Sequence, residues 1–168
     1  MGVSSVPTVV YPGSFDPVTL GHLDIMKRAV KIFGTLVVLI ANNPSKKYTF
    51  SAEEREKFII KALEEEGMSN IVKVEVFNGL LVDYVRKFGD VVIIRGLRAV
   101  TDFEYEFQML LANRTLCKEF ELIFLPASNR YLYLSSSIVK EIARFGGDIS
   151  RCVPASIIDF VMEKLRIN

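Results

Sequence analysis

Histidine occurs once in this chain of 168 residues, at His22, and cysteine twice, at Cys117 and Cys152. There is no CxxC, so a structural zinc site has too few ligands of the usual kinds. Two isolated thiols read instead as reduced, buried residues of a cytosolic protein. Net charge is scarce as well: 21 Lys and Arg face 20 Asp and Glu, leaving +1. A nucleic-acid binder of this size carries a clear basic excess, so no nucleic-acid partner is expected. A phosphate ligand needs only a local cluster of positive charge and stays open. The longest apolar runs, such as Leu36–Ala41, fall far short of the roughly 20 residues that span a bilayer, and no membrane partner is expected. Residues 1–7 hold no basic region followed by an apolar stretch, so no signal peptide is expected. Met1-Gly2 begins like a myristoylation site, but Val6 stands where Ser or Thr is wanted. The expected location is the cytoplasm. Two common nucleotide signatures are missing too, GxGxxG and GxxxxGK[ST], which argues against a dinucleotide oxidoreductase or a Walker-type ATPase.

Apolar residues make up 50% of the chain, enough for one domain with a sizeable core, taken as residues 1–168. Short apolar runs alternate with helical patterns from end to end. Residues 8–11, 36–41, 72–77, 91–94 and 122–125 read as strands. Four of these are near-continuous apolar runs, the pattern of strands covered by helices on both faces. Val72, Val74 and Val76 alternate with Lys73 and Glu75, which suits an edge. Leu23, Met26, Val30 and Phe33 recur at helical spacing up to Gly34. Ser51-Ala52-Glu53-Glu54 and Thr101-Asp102-Phe103-Glu104 both have the capping-box spacing that opens a helix. Leu81, Val85 and Phe88 mark a shorter helix ending at Gly89. Another begins at Ser136 or Ser137, and Pro154 suits the first turn of a last one. Repeated β-α units with right-handed crossovers form a doubly wound parallel sheet. In such sheets ligands bind beyond the C-terminal strand ends, where strand order reverses.

The unusual residues follow those strand ends. Tyr11-Pro12-Gly13-Ser14-Phe15-Asp16-Pro17 follows the first strand, and Asn42-Asn43-Pro44-Ser45-Lys46-Lys47 the second. Arg95-Gly96-Leu97-Arg98 follows the fourth, and residues 126–137 the fifth. Thr19-Leu20-Gly21-His22 is the sharpest local feature. Gly21 lets the chain approach a ligand closely, and a histidine in a first helical turn can donate to an anion held by the free amides. A histidine packed in a polar turn is the plainer alternative. Asp16 and Pro17 read equally well as turn chemistry. Arg95 and Arg98 suit bidentate phosphate binding, or ion pairs with Asp102, Glu104 or Glu106. Ser135-Ser136-Ser137 before a helix makes an anion nest; an ordinary serine cap explains one serine, not three. Phe103, Tyr105, Phe107, Met109, Leu110 and Leu111 cover most sides of one helix, which suggests subunit contacts or deep burial.

The run from Tyr11 to Pro17, with Thr19-Leu20-Gly21-His22, resembles the opening signature of the nucleotidylyltransferase superfamily and its [HT]xGH motif. Leu134-Ser135-Ser136-Ser137-Ile138-Val139-Lys140 resembles that superfamily's second signature. The finer resemblance is to the phosphopantetheine adenylyltransferases, carried by Asn43-Pro44-Ser45-Lys46-Lys47, by Ile94-Arg95-Gly96-Leu97-Arg98-Ala99-Val100 and by Asp102-Phe103-Glu104-Tyr105-Glu106. It runs from about Val9 to the final helix. Ser14 stands where threonine is common, which keeps the hydroxyl, and Leu134 replaces the usual isoleucine.

The resemblance implies an α/β fold, a Rossmann-like doubly wound five-stranded parallel sheet of order 3-2-1-4-5, with helices on both faces and a C-terminal helix. It implies transfer of AMP from ATP to 4′-phosphopantetheine, with Mg²⁺ carried on ATP and no metal ligands from the protein. It also implies a homohexamer, a dimer of trimers, inhibited by coenzyme A. By the same resemblance His22 stabilises the transition state, while Lys46 and Arg95 hold the acceptor phosphate and the developing charge. Ser14 contacts substrate phosphate and the backbone near Leu81 lines the pantetheine site. ATP is surrounded by Ser14, Phe15, His22, Gly96, Leu97, Arg98 and Glu106, with Tyr131, Leu132, Tyr133, Leu134, Ser135, Ser136 and Ser137. Rival readings are a transferase for another acceptor, such as nicotinamide mononucleotide or glycerol phosphate, and a non-catalytic ATP-binding or coenzyme-A-responsive regulatory module.

Overall fold

Five parallel strands carry the molecule, in the order β3-β2-β1-β4-β5, as expected. The computed structural model describes residues 7–42 and 46–166. The strands are β1 (Thr8–Gly13), β2 (Leu36–Ala41), β3 (Val72–Phe77), β4 (Val91–Leu97) and β5 (Glu121–Pro126). The helices are α1 (Leu20–Phe33), α2 (Ala52–Glu65), α3 (Leu81–Phe88), α4 (Val100–Leu116), α5 (Ser136–Arg144) and α6 (Ile158–Leu165). Successive strand residues point to opposite faces, and the core divides accordingly. Val9, Tyr11, Val38, Ile40 and Ile94 pack with α1, α2, α5 and α6. Val10, Leu39, Val91 and Ile93 pack with α3, α4 and Phe120. On α1 the buried Leu23, Ile25 and Met26 lie on this inner stripe, and each such side chain contributes about 1.5–3 kcal/mol. Gly34 ends the helix with a φ of 83°, a left-handed backbone that favours glycine.

The sheet splits where the site lies. β1 pairs with β4 only over Thr8–Val10, against Val91, Val92 and Ile93. Beyond that, β1 stays with β2 through Gly13, and β4 stays with β5 through Leu97. The two halves part at the point where strand order reverses, which opens a crevice there. Arg95, Gly96 and Leu97 are therefore strand residues that form one wall of the split, not a loop after the strand. Their pairing with Phe124, Leu125 and Pro126 fixes them.

Three further expectations need correction. The run at 122–125 is not buried on both faces, since β5 is an edge and Ile123 is 37% exposed. The capping box at Thr101 does not form: α4 starts at Val100 after Ala99 with no side-chain cap. The Asp102 carboxylate accepts the Arg98 N–H at 3.1 Å instead. Pro154 precedes a short 3₁₀ turn at Ala155–Ile157 that leads into α6, so it lies one turn before the helix it was expected to open. The box at Ser51 does form, with Glu54 answering, and β3 is an edge as its alternation suggested. α4 is the anomaly of the core: only Leu110 is buried.

Candidate active site

His22 is held by the same bonds that start its helix. Thr19 caps α1, and its hydroxyl accepts the His22 N–H at 3.3 Å. In return His22 Nδ1 accepts the Thr19 N–H at 3.0 Å. This is a capping box in which histidine takes the place of the usual Glu or Gln. The bond also sets the tautomer. A backbone N–H can only donate, so Nδ1 carries no proton and Nε2 carries it. Burial first, then Arg98 and Arg95, pulls the imidazole pKa down to about 4. His22 is thus neutral at pH 7 and offers one N–H, on Nε2. The ring of Phe15 meets it edge-on at 5.1 Å. Phe15 itself sits at a φ of 49°, a strained backbone for a side chain of that size.

His22 lines a cavity of about 420 Å³ over the split. Thr19, Gly21, Arg95, Gly96 and Arg98 line it too, with Tyr131, Leu134, Ser135 and Ser136 opposite. Arg98 joins the two sides. It pairs with Asp102 at 3.0 Å and donates to the Leu134 carbonyl at 3.0 Å. Ser135 caps α5 by accepting the Ile138 N–H. Ser136 donates to the Pro17 carbonyl at 2.8 Å, which ties the start of α5 to the turn after β1. Two of the three serines therefore have structural tasks, a cap and a tether, and Ser137 is exposed. The first-turn amides of α5 face an anion's charge favourably.

A second cavity of about 350 Å³ shares the wall formed by Arg95, Tyr105 and Glu106. Ser14, Lys46, Leu80 and Leu81 line it, with Met109, Leu110, Phe120 and Leu122 as an apolar floor. Arg95 donates to the Pro12 carbonyl at 2.6 Å and pairs closely with Glu106. A polar recess of about 250 Å³ joins Ser14, Lys46, Lys47, Ser136, Ser137 and Lys140. Asp16, which reads equally well as turn chemistry in the sequence, is a buried staple. It accepts the N–H groups of Thr49 and Phe50 and pairs with Lys140 at 2.9 Å. Burial alone would raise its pKa, but those three bonds outweigh it and hold the carboxyl below its ordinary value.

The structure thus gathers His22, Arg95, Gly96, Arg98, Glu106, Tyr131, Leu134, Ser135 and Ser136 around one cavity. It sets Ser14, Lys46 and Leu81 around its neighbour. Phe15 lies behind His22, and Leu97, Leu132 and Tyr133 line none of the three cavities described; Leu132 and Tyr133 are exposed. Asn43, Pro44 and Ser45 lie outside the described residues. Sequence reasoning missed Tyr11, Tyr105 and Asp102 as lining residues. Tyr11 ends an apolar strand and so reads as core, and burial pushes its hydroxyl pKa up to about 12. Among the described residues no three of His, Cys, Asp and Glu come together to hold a metal ion, and no helix is long and apolar enough to cross a membrane.

A neutral imidazole donor, two arginines and a helix start around a cleft in a parallel sheet define a nucleotide- and phosphate-handling site. The cytidylyltransferase-like family pattern matches residues 10–142. A phosphopantetheine adenylyltransferase of Thermotoga neapolitana is 52% identical over 157 residues, covering 94% of this chain and 96% of its relative. That of Dictyoglomus thermophilum is 53% identical over 156 residues, covering 93% and 91%. A solved bifunctional NMN adenylyltransferase/ADP ribose pyrophosphatase from Francisella tularensis superposes with a TM-score of 0.72 at 16% identity. It covers 95% of this chain and 49% of its own, a likeness of fold. The chain belongs to the cytidylyltransferase-like family and, within it, to the phosphopantetheine adenylyltransferases.

Proposed function

We propose that this protein, acting as a single nucleotidylyltransferase domain, transfers AMP from Mg-ATP to 4′-phosphopantetheine, giving dephospho-coenzyme A and pyrophosphate. The observation that carries the reading is the pair of cavities meeting at Arg95, with the neutral His22 beside the first. An oxygen of the acceptor phosphate attacks the α-phosphorus of ATP, and the bond from that phosphorus to the β-bridging oxygen breaks. Pyrophosphate carries the electron pair away. The nucleophile arrives on the substrate, so the protein supplies position and charge. His22 donates its Nε2 proton as a hydrogen bond to an oxygen on the α-phosphorus and keeps it. Arg95 and Lys46 hold the acceptor phosphate, and the start of α5 receives the outer phosphates. Mg²⁺ enters as part of its substrate, Mg-ATP.

The apolar floor of Met109, Leu110, Phe120 and Leu122, with Leu80 and Leu81 on the wall, supports a flexible pantetheine arm over a ribosyl acceptor. Coenzyme A combines a nucleotide with that arm and would fill both cavities at once, which supports its reading as an inhibitor. The unburied apolar residues of α4, among them Phe103, Phe107 and Leu111, support subunit contacts, and the family resemblance makes the assembly a homohexamer, a dimer of trimers. We place the enzyme in the cytoplasm. The test is pyrophosphate release with Mg-ATP and either 4′-phosphopantetheine or nicotinamide mononucleotide. Release with phosphopantetheine alone is expected. Release only with the mononucleotide overturns the acceptor, and silence with both overturns the enzyme.

A further inference from the structure

Arg55 is fully buried, at 0% exposure, although it carries a fixed charge. Desolvating a guanidinium is costly, and buried charges are normally paired with an opposite one. Among the described residues Arg55 has no carboxylate within 4.0 Å. Its partners are neutral oxygens. Nε donates to the Phe50 and Ser51 carbonyls at 3.2 and 3.3 Å. Nη1 donates to the Ser14 carbonyl at 2.8 Å, and Nη2 to Asn42 Oδ1 at 3.0 Å. The guanidinium carbon stands 4.0 Å from the ring centre of Tyr48.

The Phe50 and Ser51 carbonyls it holds lead into α2, and its other partners lie beside the acceptor cavity. Ser14 and Tyr48 line both the second cavity and the polar recess. Asn42 directly follows β2 and passes the constraint on, donating to Asn78 Oδ1 at 2.8 Å. Asn78 immediately precedes Gly79, Leu80 and Leu81 on the cavity wall. One planar fork therefore ties together the ends of β1, β2 and β3. None of these contacts reaches a residue peculiar to the first cavity, whose lining lacks Ser14, Tyr48 and the segment 79–81.

We propose that Arg55 is a positioning residue for the acceptor: it fixes Ser14, Tyr48 and the end of β2 so that the Ser14 hydroxyl and Lys46 meet the acceptor phosphate. The proposal rests on the transferase reading above. Lysine keeps the charge but not the fork; it can serve only some of these oxygens and leaves the Tyr48 ring without its planar partner.

The test is steady-state pyrophosphate release by wild type, Arg55→Lys and Asn42→Ala, each checked for folding by its melting curve. Asn42→Ala removes one arm of the network and lines none of the three cavities. The expected result is an acceptor KM raised roughly tenfold in Arg55→Lys and roughly threefold in Asn42→Ala, with the KM for ATP within about twofold of wild type. A role in stability alone would not split the two KM values. If folded Arg55→Lys leaves the acceptor KM unchanged, or moves both KM values together, the proposal fails. If Arg55→Lys does not fold, an unchanged acceptor KM in Asn42→Ala overturns it. A wild type that releases no pyrophosphate with phosphopantetheine fails the transferase reading itself, and this proposal with it.

Discussion

Replacing His22 in two ways separates its chemistry from its part in the fold. Gln is a standard partner in a capping box, so His22→Gln keeps an oxygen to accept the Thr19 N–H that Nδ1 accepts at 3.0 Å. It loses the rigid Nε2–H. His22→Ala loses both. Each variant also forfeits the edge-on ring contact with Phe15, so the difference between them isolates the cap. That difference should be about 1 kcal/mol, or about 2–4 °C in melting temperature for a domain of this size. Both should lower kcat/KM by about 10²–10³-fold, the effect of removing one transition-state donor. Thermal melts and pyrophosphate release measure the two quantities on the same samples. If His22→Gln keeps turnover within tenfold of wild type, the Nε2 donor is refuted. If the two variants melt together, so is the capping box.

Three further outcomes follow from the geometry. The His22 pKa is depressed to about 4 from an ordinary 6.5, so between these values the unfolded chain binds a proton that the folded one does not. Stability should therefore fall as pH drops from about 6.5 to 4, and the fall should be shallower in His22→Gln when followed by urea unfolding at stepped pH. Arg98 lines only the first of the two substrate-sized cavities, so Arg98→Ala should raise the KM for ATP roughly tenfold and spare the acceptor KM. That pattern is the reverse of the one assigned to Arg55, and a shared rise in both KM values would contradict the division of the site. On α4, Leu111 is 50% exposed. Leu111→Asp should lower the mass measured by light scattering below that of wild type, and an unchanged mass would remove α4 from the subunit contact.

Much of this was legible because period and punctuation coincide. The strands at 36–41 and 72–77 end where the apolar pattern ends, and Gly34 and Gly89 stop helices by backbone conformation alone. Strand ends at the site were misjudged for a physical reason. Arg95 and Gly96 look like loop residues, yet pairing with β5 carries β4 past the last contact with β1. The capping box at Thr101 does not form because α4 begins at Val100, which puts Thr101 inside the first turn, where the neighbouring Asp102 accepts the Arg98 N–H. Arg55 was invisible for a different reason. Its buried fork is satisfied by four main-chain and amide oxygens from three separate stretches of chain, and no local spacing encodes that.

The [HT]xGH spacing itself then acquires a physical reason. A catalytic donor must present one proton in one direction, and a free imidazole has two tautomers and a turning ring. Placing the histidine three residues after the capping threonine makes the helix's own first bonds choose the tautomer, because the Thr19 N–H can only donate. Burial and two nearby arginines then keep the ring neutral. Folding α1 and arming His22 are one event, so a substitution that weakens this cap should cost turnover even where the imidazole remains. Thr19→Val removes the hydroxyl that accepts the His22 N–H at 3.3 Å and also stands 3.0 Å from Nδ1, and leaves Nδ1 only the main-chain N–H. Its expected cost is about 1 kcal/mol in stability and a loss of kcat/KM of roughly tenfold, smaller than in His22→Gln. Equal kcat/KM in Thr19→Val and wild type would show that the cap serves the helix alone.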